Sequence, residues 1–289
     1  NKDDIANYVV LPLVLIALCV SVWYLNIKPI KTNTAIIKAM QSYQTLILDD
    51  LPQTAIKPYA ELTLQNFKEA ISGSIIGATE AREQLWTIAP KMAALTKVEL
   101  STREAFVKYA ADQAYAQVAE TPYDARYQLF VGSFFANIGR YDLGIPYLVK
   151  ALELSPNKIS MMLELSRVYG FAGEYKKSLE VIQKARELVP EFNEVKIQYL
   201  ISLITNDMET EAKKIMGTST EENEAVVRGY IIKTSVYLRN NNKIGVTTEI
   251  QKANKIAAIT EIQKAMNFVP AFKSQGQEII DGINKGTIK

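Results

Sequence analysis

The sequence lacks histidine and has one cysteine among its 289 residues. Without histidine, the chain has no imidazole to act as a general base near neutral pH or as a transition-metal ligand. Nucleophile pairs of the Ser-His and Cys-His kinds are therefore excluded. The single cysteine, Cys19, excludes an intrachain disulfide and any site built from several thiolates. We predict no cofactor and no metal site, and only carboxylates or lysine remain for catalysis.

The chain also lacks an excess of charge of either sign, since 33 basic residues stand against 31 acidic ones. Nucleic-acid binding needs a concentrated basic surface, so this balance does not support a nucleic-acid partner. Glu80, Arg82 and Glu83 lie close together, and two carboxylates beside an arginine can act as acid–base machinery. Pairing on one helix surface, as between Glu80 and Gln84, explains these residues more simply.

Charge is absent altogether from residues 5–27, which are mostly apolar. At 1.5 Å per residue, a helix of this length spans the roughly 30 Å hydrocarbon core of a bilayer. Tyr8, Trp23 and Tyr24 lie near its ends, where interfacial aromatic residues are favoured. The run is longer than the apolar core of a signal peptide, and it lacks the small residues of a signal-peptide cleavage site at its end. We predict a membrane-spanning helix, and the alternative is a buried helix of a soluble core.

Lysines follow this run more closely than they precede it, with Lys28, Lys31 and Lys38 after it and Lys2 before it. Cytoplasmic flanks carry an excess of basic residues. The count therefore favours placing the rest of the chain in the cytoplasm. We expect the membrane to be a bacterial cell membrane. Long domains cross membranes regardless of charge, so the opposite orientation remains an alternative.

The chain begins with Asn1, which we interpret as the start of a piece of a longer protein.

A repeat of 34 residues is the clearest pattern in the rest of the chain. Self-similarity at this period is typical of stacked units of two short helices. Such units bury their apolar faces only against their neighbours, and the surface left over usually binds other proteins. One step of the repeat carries Gly139, Tyr141, Ala151 and Pro156 onto Gly173, Tyr175, Ala185 and Pro190.

Helical periodicity continues on both sides of these units, and no stretch has the pattern of a strand. Ser101 and Glu104 fit a capping box at the start of one helix. Pro90 is expected to interrupt or kink another helix. The predicted helices outside the clear repeats are 31–50, 54–72, 78–95, 101–120, 221–239 and 273–283.

Residues 125–158 and 159–192 resemble tetratricopeptide repeats. Small residues at 144, 151, 178 and 185 would let two helices approach closely. The resemblance implies a stack of helix-turn-helix units that binds a protein partner. The signature positions hold Val131, Gly132, Phe135, Gly144, Leu148, Ala151 and Pro156, and then Leu165, Ser166, Tyr169, Ser178, Ile182, Ala185 and Pro190.

The predicted fold is all-α, with an N-terminal transmembrane helix followed by an α-solenoid of helix-turn-helix repeats. We divide the chain into a membrane anchor at 1–30 and a helical region with a degenerate repeat at 31–120. The tetratricopeptide repeats follow at 121–216, and a degenerate repeat with a capping helix completes the chain at 217–289.

A wider resemblance covers the region before the repeats. A terminal membrane helix ending in Asn26-Ile27-Lys28-Pro29 is followed by Phe67-Lys68-Glu69-Ala70 and by the segment 77–85. This order is similar to the C-terminal part of O-antigen ligase/polymerase-like membrane proteins that carry tetratricopeptide tails. The resemblance implies a parent protein that handles lipid-linked glycans through a loop between earlier membrane helices. None of that loop is in this chain, so no catalytic residue carries over.

The first helix of each repeat unit should supply the partner-binding surface. Lysine and asparagine that hold a peptide carboxylate in some repeat proteins are replaced here by Leu129, Ser133 and Leu163, which does not support such a clamp. A mixed apolar groove remains, and ordinary packing is the alternative role for its residues. An enzyme using carboxylate or lysine chemistry, or a purely structural spacer, are the alternative functions. The candidate residues are Arg126, Leu129, Ser133, Asn137, Ser160, Leu163, Arg167, Phe171, Glu194, Ile197 and Ile201.

Overall fold

A computed structural model of the chain describes residues 6–48, 51–73, 75–241 and 246–288. Every regular element within these ranges is a helix, which confirms the all-α prediction. The chain divides into two compact units, Asn1–Pro122 and Tyr123–Lys289.

Among its described residues, the first unit contains five α-helices. They are α1 (Leu11–Val22), α2 (Lys28–Ile47), α3 (Gln53–Gly73), α4 (Ile75–Ala94) and α5 (Leu100–Glu120). Short π-helical segments, Ala6–Val10 and Trp23–Ile27, precede α1 and α2.

One continuous helix of 40 residues runs from Tyr8 to Ile47 through α1 and α2. Both π-helical segments lie just before a proline, Pro12 or Pro29. Proline lacks an N–H and crowds the carbonyl group four residues earlier, so the regular backbone hydrogen bonds of the α-helix are disturbed there. Every side chain from residue 8 to residue 27 is exposed, whereas α2 buries one face, starting at Thr32. The predicted apolar helix is therefore present, and it continues directly into α2.

Aromatic side chains form the centre of the first unit. Phe67 and Phe106 are fully buried and meet edge to face, with ring centroids 6.1 Å apart. The indole N–H of Trp86 donates to the carbonyl oxygen of Ala110 at 3.1 Å. This bond satisfies the only polar group of a side chain that is 3% exposed. Helices α3, α4 and α5 are thereby joined around one core.

The predicted interruption at Pro90 is wrong, because α4 runs through it to Ala94. Non-helical backbone angles occur instead at Ile76 and Gly77, so the regular part of α4 begins close to the predicted start at residue 78. Ala89 and Met92, on either side of Pro90, are fully buried. Packing of these neighbours therefore outweighs the loss of one backbone hydrogen bond.

The predicted capping box at Ser101 is also wrong. Helix α5 begins one residue earlier, and Ser101 Oγ donates to the Glu99 carboxylate at 2.8 Å. A reciprocal pair of this kind occurs instead at Ser219 and Glu222, at the start of a helix of the second unit. The Glu222 N–H donates to Ser219 Oγ at 3.2 Å, and the Ser219 N–H donates to Glu222 Oε2 at 3.4 Å.

Within residues 123–241 and 246–288, the second unit contains four successive helix pairs followed by one more helix. The pairs are α6 (Ala125–Asn137) with α7 (Tyr141–Leu154), α8 (Ile159–Ala172) with α9 (Tyr175–Leu188), α10 (Asn193–Thr205) with α11 (Glu209–Ile215), and α12 (Thr220–Asn241) with α13 (Thr248–Phe268). A 3₁₀ turn, Pro270–Phe272, leads to α14 (Lys273–Lys285). The helix–turn–helix units predicted from the 34-residue repeat are therefore confirmed.

Small residues bring the two helices into close contact in the first two helix pairs of the second unit. A Cβ added to Gly144 would lie 2.6 Å from the carbonyl oxygen of Gly132. One repeat later the same positions hold Ser166 and Ser178, whose hydroxyls lie 3.0 Å apart and are buried. Ala212 takes the corresponding place on α11 and is also fully buried. The predicted role of small residues at these positions is confirmed.

A left-handed backbone residue recurs between the two helices of each of the first three helix pairs. Gly139, Gly173 and Asp207 stand one repeat apart and have φ values of 80°, 87° and 59°. This conformation favours glycine, although aspartate tolerates it better than most residues. The third unit therefore keeps the turn geometry of the other two with a charged residue in place of glycine.

The Asp207 carboxylate belongs to an ion cluster that connects the third helix pair, α10 with α11, to the fourth, α12 with α13. It pairs with Lys233 on α12, whose side chain is 3% exposed. Lys233 also lies 3.0 Å from Glu261 on α13, and Lys264 lies 3.1 Å from Glu261. Burial by itself raises the pKa of the Asp207 carboxyl, but the bond from Lys233 and the charge of Lys264 hold it below its usual value. The buried lysine is thus balanced by carboxylates from two other elements.

Gly144→Ala tests the close contact between α6 and α7. The new methyl group would meet backbone atoms of α6, which cannot rotate away, so we expect a loss of about 1–3 kcal/mol in the free energy of unfolding. Gly170→Ala is the matched control, because its nearest new contact is Ser178 Oγ at 3.9 Å. That variant should be stabilised by about 0.5–1 kcal/mol through helix propensity. Equal effects of the two variants in urea denaturation would contradict the assignment.

Candidate partner-binding face

The first helices of the four units, α6, α8, α10 and α12, lie side by side in chain order. The side chains predicted from the repeat phase fall on these helices. Arg126, Asn137, Ser160 and Glu194 are exposed. Half-buried positions are Leu129, Ser133, Leu163, Arg167 and Phe171. We call the surface formed by these residues on α6 and α8, with Glu194 at its edge on α10, the inner face.

Ile197 and Ile201 were expected on this surface, but the structure places them in the core. Each is 7% exposed and belongs to a cluster that includes Val226 and Tyr230 of α12. Helix α12 approaches closely at Gly229, where an added Cβ would lie 3.2 Å from the Ile201 carbonyl oxygen. The expectation failed for these two residues because the repeat phase carries no information about the length or closeness of the next helix.

A hydrogen-bonded group joins α6 to α8 on the inner face. Arg167 donates to both oxygens of Glu164, at 2.8 and 2.7 Å, and to Asn137 Oδ1 at 3.2 Å. Burial by itself raises the pKa of the Glu164 carboxyl, but the bonds from Arg167 and Ser133 hold it below its usual value. Sequence analysis found Ser133, Asn137 and Arg167 but missed Glu164, whose spacing of three residues from Arg167 on one helix was the available signal.

Stacked planar groups border the inner face at the end of α8. The Arg167 guanidinium lies 5.7 Å from the centre of the Phe171 ring, which stacks on Tyr141 at 6.4 Å and 7°. Arg239, near the end of α12, donates to the Phe171 carbonyl oxygen at 2.7 Å and lies 4.9 Å from the Tyr141 ring centre. The long helix α12 therefore reaches back across one unit and limits the inner face at Phe171.

The other end of the inner face combines charge with apolar surface. The Arg126 guanidinium lies 5.4 Å from the ring centre of Phe130 and 6.0 Å from that of Tyr127. Leu129 and Leu163, both half-buried, lie on the neighbouring helices α6 and α8. This arrangement suits a ligand with apolar side chains and polar groups rather than a purely ionic one.

Glu80 and Arg82 take part in two separate hydrogen-bonded groups. Gln84 donates to Glu80 at 2.8 Å along the helix surface, as predicted. Arg82 instead crosses to α5, where it donates to Glu120 at 2.6 and 3.0 Å and to Gln117 at 2.8 Å. The Arg82 side chain is 10% exposed, so this bidentate pair joins two helices. The part of the chain that the structure describes contains no group of three or more acidic, cysteine or histidine residues placed to bind a metal.

Residues 125–158 match the sequence family described as the tetratricopeptide repeat. The match coincides with the first predicted unit, α6 with α7. This segment of the chain is therefore similar to a tetratricopeptide repeat. The helix pairs α8–α9 and α10–α11 continue its geometry, because their contacts and their turns recur at the same spacing. No curated protein matches the sequence.

Several solved structures are similar to the chain at low identity. A MamA MSR-1 structure is 16% identical over 70% of this chain and 99% of its own, with a TM-score of 0.44. A MamA AMB-1 structure is 14% identical over 68% of this chain and 90% of its own, with a TM-score of 0.42. An O-GlcNAc transferase mutant of Thermobaculum terrenum is 15% identical over 55% of this chain and 27% of its own, with a TM-score of 0.32.

The paired Glu164 carboxyl should contribute to the pH dependence of stability. Its pKa is lower in the folded chain than in the unfolded one, so its stabilising effect is complete above the unfolded pKa of about 4.3. The effect is lost as pH falls through the lower folded pKa. Glu164→Gln should therefore show a shallower loss of stability below about pH 5 in urea titrations. Glu153→Gln, at an exposed site, controls for net charge, and an unchanged slope in Glu164→Gln would contradict the pairing.

Proposed function

We propose that this chain is a membrane-anchored tetratricopeptide scaffold that binds a protein partner through the inner face. The observation that carries the proposal is the uninterrupted exposure of residues 8–27, a helix with no charged side chain, in the same chain as a tetratricopeptide repeat. A helix of 20 such residues is about 30 Å long, which equals the hydrocarbon thickness of a bilayer.

The end of the exposed helix has the composition of a membrane interface. Lys28 lies 4.2 Å from the ring centre of Tyr24, and Lys31 lies 5.2 Å from that of Trp23. Aromatic rings and lysines are favoured together at headgroup level. Buried residues begin at Thr32, directly after this belt. The change from lipid-facing to protein-packed surface thus falls within one turn or two of the helix.

Partner binding is supported by the composition of the inner face. Leu129 and Leu163 are half-buried, and Arg126 is exposed beside them. Arg167 is held in place by Glu164 and Asn137, so ligand binding would not have to order that side chain. A preorganised, mixed surface on the first helices is what repeat scaffolds use to bind proteins. The same apolar residues disfavour a purely structural spacer.

The parent protein is proposed to be an O-antigen ligase/polymerase-like membrane protein, of which this chain is the non-catalytic tail. The support is the order of the membrane helix, the helical region and the repeats. Contact with lipid-linked glycan would then belong to other segments of the parent. We place the anchor in a bacterial cell membrane, with the lysine flank favouring the cytoplasmic side.

Leu15→Arg combined with Leu18→Arg tests the membrane anchor. Each arginine opposes insertion by about 2.5–3.5 kcal/mol at the helix centre, and the two leucines are 51% and 58% exposed. We expect the protein to move from the carbonate-resistant membrane pellet to the soluble fraction with an unchanged circular dichroism spectrum. Tyr8→Arg, at the end of the run, should stay in the pellet.

A parent chain that is soluble without detergent would contradict the anchor and favour a buried helix of a soluble core. Protease added to intact spheroplasts determines the side of the membrane. Digestion of the repeat unit without lysis would contradict the cytoplasmic orientation.

A photo-crosslinking residue in place of Leu163 tests partner binding at the inner face. We expect a discrete adduct in cells, because a partner seated on α6 and α8 would lie next to this position. Gln183, exposed on α9, is the matched control site and should give no adduct. Leu129→Asp should abolish the adduct at 163, since it places a charge in the apolar part of the face. Equal adducts at 163 and 183 would contradict the proposal.

A further inference from the structure

The turn between α3 and α4 combines an exposed isoleucine with a lack of charge. Ile76 lies in this turn and is 50% exposed. Residues 70–79, which include the turn, contain no charged side chain, and Glu69 and Glu80 bound the uncharged stretch. A single exposed apolar side chain is ordinary by itself, so the position of this one in the first unit decides its meaning.

Two glycines hold the turn against the start of α2. A Cβ added to Gly73 would lie 3.1 Å from Thr32 Oγ1, and one added to Gly77 would lie 2.9 Å from Thr32 Cγ2. Gly77 also has a φ of 100°, a conformation that favours glycine. Thr32 is 1% exposed, so the turn lies directly on this part of α2. The position of Ile76 along α2 is thereby fixed.

Helix α3 runs towards the exposed apolar helix, and α4 runs away from it. Thr63 Oγ1 donates to Ser42 Oγ at 3.1 Å, midway along α2 and α3, and Gly73 at the end of α3 contacts the start of α2. These two helices are therefore antiparallel. Lys97, just after α4, donates to the carbonyl oxygen of Leu48 at 3.0 Å, at the far end of α2. The α3–α4 turn is consequently at the end of this helix group that is nearest to the anchor.

The start of α2 lies at headgroup level when residues 8–27 span the hydrocarbon core. Thr32 comes four residues after Lys28, which corresponds to about 6 Å along the helix. Each headgroup layer is about 5–7 Å thick, because a bilayer of about 40–45 Å contains a core of about 30 Å. Thr32 and the turn beside it therefore fall at the level of the lipid headgroups.

We propose that the α3–α4 turn is a second membrane contact, in which Ile76 enters the headgroup layer of the lipid surface. This inference rests on the proposed membrane anchor. Ile76 would bury apolar surface at the boundary between headgroups and acyl chains. Because residues 70–79 are uncharged, no charged group of this stretch would have to lose its hydration there. Two contacts with the bilayer would restrict the tilt of the continuous helix that carries the anchor.

The test places an environment-sensitive fluorophore, NBD, on single cysteines of the full chain. Ile76→Cys is made together with Cys19→Ser, labelled, and reconstituted into phosphatidylcholine vesicles. A matched set of vesicles contains phosphatidylcholine with a nitroxide just below the headgroup, which quenches NBD on contact. We expect roughly a twofold loss of fluorescence at residue 76, because the side chain would lie among the headgroups.

Leu100→Cys, also made with Cys19→Ser, is the matched control. Leu100 is 58% exposed and begins α5, shortly after Lys97 at the far end of α2. Leu48 is sixteen residues beyond Thr32, or about 24 Å along the helix, so a label at 100 should not be quenched. If labelling at 76 alters the circular dichroism spectrum, Ser72→Cys reports the same turn, since Ser72 is exposed at the end of α3.

A third label, on the native Cys19, separates this inference from the anchor itself, because Cys19 is exposed within the apolar helix. Quenching at Cys19 without quenching at the turn would overturn the second contact and leave the anchor intact. Equal quenching at 76 and 100 would also overturn it. A label at 76 that is shifted to the blue but insensitive to nitroxide lipid would indicate contact with protein and overturn it as well. Absence of quenching at Cys19 would overturn the anchor and this inference together.

Discussion

The close approach of the two helices in the first two repeats is the constraint on which the packing of the second unit depends. Glycine at 132 and 144 allows backbone-to-backbone contact in the first repeat, and hydrogen-bonded serines at 166 and 178 preserve that spacing in the second. Only when each pair is this close can the next pair lie against both of its helices. The side-by-side order of α6, α8, α10 and α12, and with it the inner face, follows from this spacing.

Patterns within a repeat could be predicted from sequence, because they reflect contacts between residues close in the chain. The helix pairs, their small contact residues and the turns at Gly139 and Gly173 all come from the 34-residue spacing. The length of the run and its lack of charge also identified the apolar helix, although not its continuation into α2. These features share one physical origin, which is the local geometry of helices and turns.

Features that depend on distant elements were not predicted. Ile197 and Ile201 have the phase of surface residues, but α12 covers them because it packs closely on α10 at Gly229. The Arg82–Glu120 pair joins residues 38 positions apart, and no local pattern marks it. The spacing of serine and glutamate that marks a capping box occurs at both Ser101 and Ser219. Sequence alone could not distinguish the two sites, and the prediction placed the box at Ser101. Only the structure shows which of the two begins a helix with a reciprocal bond.

Asp207 distinguishes the third helix pair of the stack from the first two. Two repeats place glycine at this turn, so their backbones are interchangeable in conformation, whereas the third places a carboxylate that pairs with Lys233 and Lys264 of the following unit. A stack of near-identical units risks joining in the wrong order or skipping a unit during folding. Neither other turn offers an acid to the buried Lys233, which also pairs with Glu261 of its own helix pair. Only the third helix pair therefore adds a second carboxylate to that lysine.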